Sequence, residues 1–342
     1  MKSHSLAPSD FAGAMAGRIN ALVALDDAIA LIRAGAPLAI AGRKEALDQL
    51  PAGNWIGGTT PYFLTAEGGE IIDAGRVFVT DFSGLGAVTS HHYGADALQD
   101  ITEEAPEHGF ALAILPFQSQ AHQRFAKEAG QYPLAFLKPT VGWIAGFDLG
   151  EEGAGAYVYD GSGSGAQSDG AAVLQIHLPE GMMPIVEIVN IFSSDGVDIL
   201  RFEEASFSPH DVIVNGQKRL FADYIRERGF EGGQLPLVGD YSGARINASL
   251  RAVGDKTVDL YAPVFPGIDY AFAAPVEDYP SAFAAQFAEH DHDGAMWSCN
   301  CILNYLFGGL EGKTVGGVAG PVTFGEIAYQ LVNQTLVQVR VI

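Results

Sequence analysis

Ligand-type side chains are densest at His290, Asp291, His292 and Asp293, followed by Cys299 and Cys301. Neutral imidazole with thiolate is the donor set zinc prefers. Histidines two apart, however, meet neither the four-residue spacing of a helical site nor the Cys-x-x-Cys geometry of a closed one. Asp293-Gly294 reads as a polar turn after a helix, and no metal is expected there. His91 and His92 follow an apolar strand, a setting in which a histidine pair can hold a metal or a haem iron; in a loop the pair reads as partly exposed and uncommitted. Cys299 is a nucleophile only if a base lowers its pKa. No local nucleophile signature surrounds it, so it reads as an inert buried thiol.

A different kind of chemistry is written in glycine. The stretch Val315 to Ile327 contains Gly316-Gly317, Gly320-Pro321 and Gly325-Glu326, a pattern of backbone turning twice within a few residues. A looser copy runs from Ile56 to Ile71, where Gly57-Gly58, Pro61 and Glu70-Ile71 answer Gly316-Gly317, Pro321 and Glu326-Ile327. Bare backbone N–H groups at such turns can approach a ligand closely. Thr59, Thr60, Tyr62 and Trp297 would add hydroxyls and aromatic faces. Glu70 and Glu326 would either cap the turns by accepting N–H bonds or bind a cationic ligand group. The echo reads as an internal duplication with an equivalent glycine turn in each half.

The elements that must position these residues alternate between helix and strand. Leu25–Ala34, Arg43–Leu50, Ala95–Glu104, Gln118–Gly130, Lys218–Arg228 and Val276–His290 carry helical spacing, and another helix opens at Ser9-Asp10. Pro37–Gly42, Trp55-Ile56, Phe110–Leu115, Val141–Gly146, Ala172–Leu178 and Ile185–Phe192 read as strands, with four more short ones between Pro236 and Ala273. The predicted class is mixed α/β: two β-rich lobes, residues 1–150 and 171–342, with helices on their outer faces. The Gly/Ser-rich stretch 151–170 between them, with Gly161-Ser-Gly-Ser-Gly165, lacks a following Gly-Lys-Ser or Gly-Lys-Thr and reads as a loop, not a phosphate cradle.

Composition narrows the partners. A formal charge of −22 repels nucleic acid and anionic lipid. No apolar run approaches the ~18 residues of a membrane span, and the first residues lack an apolar signal core. Cys299 and Cys301 would point to opposite strand faces, which disfavours a disulfide between them. A cytoplasmic protein is expected.

Trp297-Ser-Cys-Asn-Cys301, Gly320-Pro-Val-Thr-Phe-Gly-Glu-Ile327 and Asn333-Gln-Thr335 resemble closing elements of the FIST family, bacterial sensory domains named for F-box and intracellular signal transduction. Trp55-Ile-Gly-Gly-Thr-Thr60 and Gly69-Glu-Ile71 resemble that family's entry motif. The family's arginine after Ser-Cys has no counterpart here before Lys313. The resemblance implies a sensory protein that binds a small molecule and signals by touching another protein. The expected ligand site lies between the lobes, at Gly57, Gly58, Thr59, Thr60, Tyr62, Trp297, Cys299, Gly316, Gly317 and Glu326, with no cofactor. Two other readings stand beside it: an enzyme using Cys299 or a metal held by His290 and His292, and a haem-binding gas sensor with His92 or His177 as axial ligand.

Overall fold

The computed structural model describes residues 18–241, 243–289 and 295–342. The helix expected from Ser9-Asp10, and His290, Asp291, His292 and Asp293, lie outside the described residues.

The protein is mixed α+β and rich in strand, as its alternating patterns predict. Among the described residues there are four sheets of five or six strands and one two-stranded ribbon. The first sheet runs Asn20–Ala24, Arg76–Asp81, Leu38–Gly42, Trp55–Thr59, Val158–Tyr159. The second runs Gln330–Val332, Glu326–Ala328, Thr140–Ala145, Gly109–Pro116, Ala171–His177, Val88–Tyr93. The third runs Pro184–Val189, Leu336–Val341, Ala295–Cys301, Gly320–Thr323, Tyr62–Thr65, Gly68–Ile71. The fourth, Gln217–Leu220 through Ala244–Ala248, is built wholly from residues 200–272 and has its own core around Phe202, Phe221, Tyr270 and Phe272.

The second sheet is the centre of the molecule because both its faces are covered, which is why Gly109–Pro116 reads as a continuous apolar run. Side chains alternate across it. Phe110, Leu112 and Ile114 pack with Ala39, Ile56 and Phe78 of the first sheet and with Trp297, Val337 and Val339 of the third. Ala111, Ala113 and Leu115 face the helix Gln120–Glu128 through Ala121 and Phe125. The helix Leu25–Arg33 covers the outer face of the first sheet, burying Ala28 and Ile32 against Leu38, Ile40, Val77 and Val79.

The sheets do not respect residues 151–170 as a border. Val158–Tyr159 pairs with Gly57-Gly58, and Ala171–His177 lies between Gly109–Pro116 and Val88–Tyr93. Asn215-Gly216 sits at the tip of a hairpin, both residues at positive φ, as a two-residue turn between right-twisted strands requires. The helix after it is therefore Phe221–Arg228, shorter than its amphipathic pattern suggests. Among the described residues no helix is long and apolar enough to cross a membrane.

Candidate functional site

The two glycine-rich stretches meet. Tyr62–Thr65 pairs antiparallel with Gly320–Thr323, placing Gly320 opposite Leu64 and Pro321 opposite Phe63. The Thr60 hydroxyl, fully buried, donates to the Val322 carbonyl at 2.6 Å. Their local geometries differ from the expected pair of equivalent turns. Gly57 and Gly58 lie inside the strand Trp55–Thr59 and are buried there. Glycine is required because a Cβ on Gly58 would stand 2.5 Å from Ile114 and 2.9 Å from the Trp143 indole nitrogen, where the first two sheets press together. Gly316 and Gly317 do form a turn, with φ of 56° and 81°. A Cβ on Gly316 would strike Phe287, whereas one on Gly317 would meet nothing within 4 Å.

Trp297, Cys299 and Glu326 belong to the interior, at 1%, 0% and 0% exposure. Trp297 stacks on Trp143 with ring centroids 6.0 Å apart. Cys299 donates to the Gly142 carbonyl at 3.5 Å. Burial and the neighbouring Glu326 push its thiol well up, so it is a protonated core thiol and not a nucleophile open to substrate. Cys301 is likewise free and buried. Glu326 does accept an N–H bond, from Thr335 at 3.3 Å, and the Thr335 hydroxyl at 2.7 Å, with the Cys301 thiol beside it. Burial outweighs the Thr335 bonds and raises its pKa to about 8.

The Asn333-Gln-Thr335 segment is a hub of such bonds. Asn333 accepts from the backbone and hydroxyl of Ser249, Gln334 accepts from the same hydroxyl, and the Thr335 carbonyl accepts from Asn304. It ties the 200–272 unit and the third sheet to Glu326. Its polar residues are used internally.

His91 and His92 lie on the strand Val88–Tyr93, where His91 meets Thr89 at 2.9 Å and His92 sits 3.4 Å from the Asp169 carbonyl. His177 is exposed at the end of its strand. Among the described residues no group of three His, Cys, Asp or Glu side chains stands in metal-holding arrangement.

The concave surface lies where strands end. The parallel pair Leu38–Gly42 and Trp55–Thr59 and the strand Thr140–Ala145, itself parallel to Gly109–Pro116, deliver their following residues to one cavity of about 200 Å³. Arg43 and Lys44 follow the first strand, Thr60-Pro61 the second, and Gly146-Phe147-Asp148 the third; Glu151, Gly153–Gly155 and Tyr157 complete the wall. Arg43 is held on three sides, donating to the Ile72 carbonyl at 2.7 Å, Asp148 at 2.5 Å and Glu151 at 2.9 Å. Burial opposes ionisation of Asp148, yet the Gly150 N–H and the Arg43 guanidinium hold its carboxyl below its ordinary value. The Tyr62 hydroxyl accepts from the Leu149 N–H at 2.9 Å and braces the same loop. The Thr59 hydroxyl donates to the Gly146 carbonyl and accepts from the Tyr157 N–H.

Phe147 closes one side of the cavity, packed with two further phenylalanines that likewise follow parallel strands. Phe147 lies 4.9 Å from Phe324 and 6.4 Å from Phe117, whose own centroid is 5.2 Å from Phe324. Beyond Phe117 a second cavity of about 200 Å³ is lined by Gln118, His122, Phe207, Arg251 and Tyr261. Of the expected ligand residues, the first cavity takes Thr59 and Thr60. Arg43, Asp148, Tyr157 and the residues of the second cavity carry no motif in the sequence. The available signal was position: residues immediately after strands already recognised at 37–42, 110–115 and 141–146 stand at carboxyl ends, where open α/β sheets place ligands.

The chain belongs to the family of unknown function DUF6976, whose sequence description matches residues 23–342. No curated protein matches it.

Proposed function

We propose that the protein binds a small polar ligand with an apolar part in the cavity bounded by Arg43, Thr59, Asp148 and Tyr157. We propose further that it reports occupancy to a partner protein in the cytoplasm, as the FIST resemblance implies. The observation that carries this reading is the convergence of three strand carboxyl ends, drawn from two sheets, on one cavity. Lys44, over the Tyr157 ring at 5.3 Å, offers a cation to an acceptor on the ligand. Glu151, more than half exposed, offers an acceptor, and Pro61 with Phe147 an apolar surface. The Arg43–Asp148 pair holds the wall rigid, so the ligand enters a site whose shape is already set.

Ala154→Trp fills the cavity from a loop position without touching the core. In native mass spectrometry of protein purified from cells, the parent should carry a small-molecule adduct that Ala154→Trp lacks, with the two melting alike. An adduct retained equally by the variant, or displaced instead by substitutions around His91 or Gly161, defeats the reading.

A further inference from the structure

We propose that the second cavity, between the helix Gln120–Glu128 and the 200–272 unit, is a separate ligand site that takes a small aromatic carboxylate. Its size fits one ring: an apolar cavity of about 150 Å³ holds benzene, and this one is about 200 Å³. Its walls suit a ring as well, since Phe117, Phe207 and Leu260 line it and Tyr261 packs 6.0 Å from Phe117.

The polar groups decide the charge. The Gln118 N–H donates to Nδ1 of His122 at 3.1 Å, so the neutral ring carries its proton on Nε2. That Nε2–H has no partner among the described residues, although the residue is only 2% exposed and wedged between Phe117 and Phe207. An unmade bond on a buried donor is costly to a fold, on the order of 1–3 kcal/mol, unless something else supplies the acceptor. Burial lowers the His122 pKa to about 4, so the ring stays a neutral donor near pH 7. Among the described residues Arg251 is the one charged lining residue; its Nη2 is fixed by Asp259 at 2.7 Å, and its other N–H groups meet no acceptor from those residues. Asp259 is occupied in turn, by Arg251 and by the Ser208 hydroxyl at 2.6 Å. Lys127 stands 5.9 Å from the Phe207 ring, and Asp169 is engaged by the Ala121 N–H at 2.8 Å. The unmet His122 donor and the Arg251 cation therefore share one cavity in a protein of charge −22, a pairing that selects an acceptor-rich anion. The backbone shows what holding this arrangement demands: Gln118 sits at φ 62°, a conformation a non-glycine residue adopts at a cost and that clusters at ligand sites.

The test uses sodium benzoate as probe and benzamidinium, the same ring with a cation, as control. Titration calorimetry on the full chain should show saturable benzoate binding and none of benzamidinium. Tyr261→Phe, which removes a lining hydroxyl that has no partner among the described residues, and Arg251→Gln should each weaken benzoate by about fivefold or more, as loss of one hydrogen bond does. His122→Phe should do the same, and the other two variants keep the test decisive if that one fails to fold. In the parent the ¹⁵N resonance of His122 Nε2 should move on titration. Ala154→Trp, in the other cavity, should leave benzoate binding unchanged. The proposal falls if benzoate does not saturate by about 10 mM, if benzamidinium binds as well, if Tyr261→Phe and Arg251→Gln bind like the parent, or if Ala154→Trp abolishes binding.

Discussion

The stretches Trp55–Ile71 and Val315–Ile327 spell similar sequences and lie side by side, yet they use the same residue types in opposite ways. In the first, the glycine pair is part of a strand and makes room for a neighbouring sheet; in the second it is a turn. Glu70 lies at the surface, paired with Arg76 at 2.6 Å, whereas Glu326 is sealed in the core with no cation. Similar letters thus specify a contact in one place and a bend in the other. What selects between them is the layer pressing on each segment.

The contrast is broken most forcefully at the glycines. Gly58→Val drives a branched side chain into Ile114, Trp143 and Ala145 and should cost about 3 kcal/mol or more, or prevent folding. Gly317→Val meets open space and should cost only the ~1–2 kcal/mol of forcing a side chain to positive φ. Urea unfolding of both measures the gap, and equal losses would mean the two pairs do the same job.

The glutamates sharpen it through pH. Glu326 keeps its proton in the folded protein up to about pH 8, while the unfolded chain releases it above about 4.5. The folded state then binds more protons, so this group's contribution is complete below about pH 4.5 and is lost as pH rises through about 8. The limiting slope is about 1.4 kcal/mol per pH unit. Glu326→Gln should remove that slope from urea midpoints taken between pH 5 and 8. Glu70→Gln, which removes a half-exposed ion pair, should change stability by less than about 1 kcal/mol.

A smaller effect tests the seam between the stretches. Thr60→Val removes the hydroxyl that donates to Val322 and accepts from the Tyr62 N–H at 3.3 Å. Melting should report a loss of about 1–2 kcal/mol. An unchanged melting point would show that the seam holds by its backbone ladder alone.

Much of the fold was legible. Apolar runs at 37–42, 110–115 and 141–146 each fall on a strand, because a sheet covered on both faces leaves no polar interruption, and the alternating stretch 172–178 falls on another. Helical spacing from Leu25 ends within one residue of the observed helix. What pairs with what was not legible. That Val158–Tyr159 adds to the first sheet, or that residues 200–272 gather into their own, depends on contacts between distant residues that no local period encodes. The candidate site was legible only where its residues neighbour the glycines, at Thr59 and Thr60. Tyr157, Tyr261 and Arg251 reach their cavities from distant elements, and the spacing of His122 to Phe125 and Ala126 marks a buried helix face without telling that its ring borders a cavity.

The hydrogen bond between Thr60 and Val322 joins residues 262 apart in sequence. Closing so long a loop adds little to the entropy of folding, since that term grows only with the logarithm of length. Its weight falls on time. Pairings of such separation form late, and until then Tyr62–Thr65 and Gly320–Thr323 are strand edges with free N–H and C=O groups, open to another chain as readily as to each other. Refolding yield should therefore depend on protein concentration, because at the last step a molecule's own distant strand competes with its neighbours'.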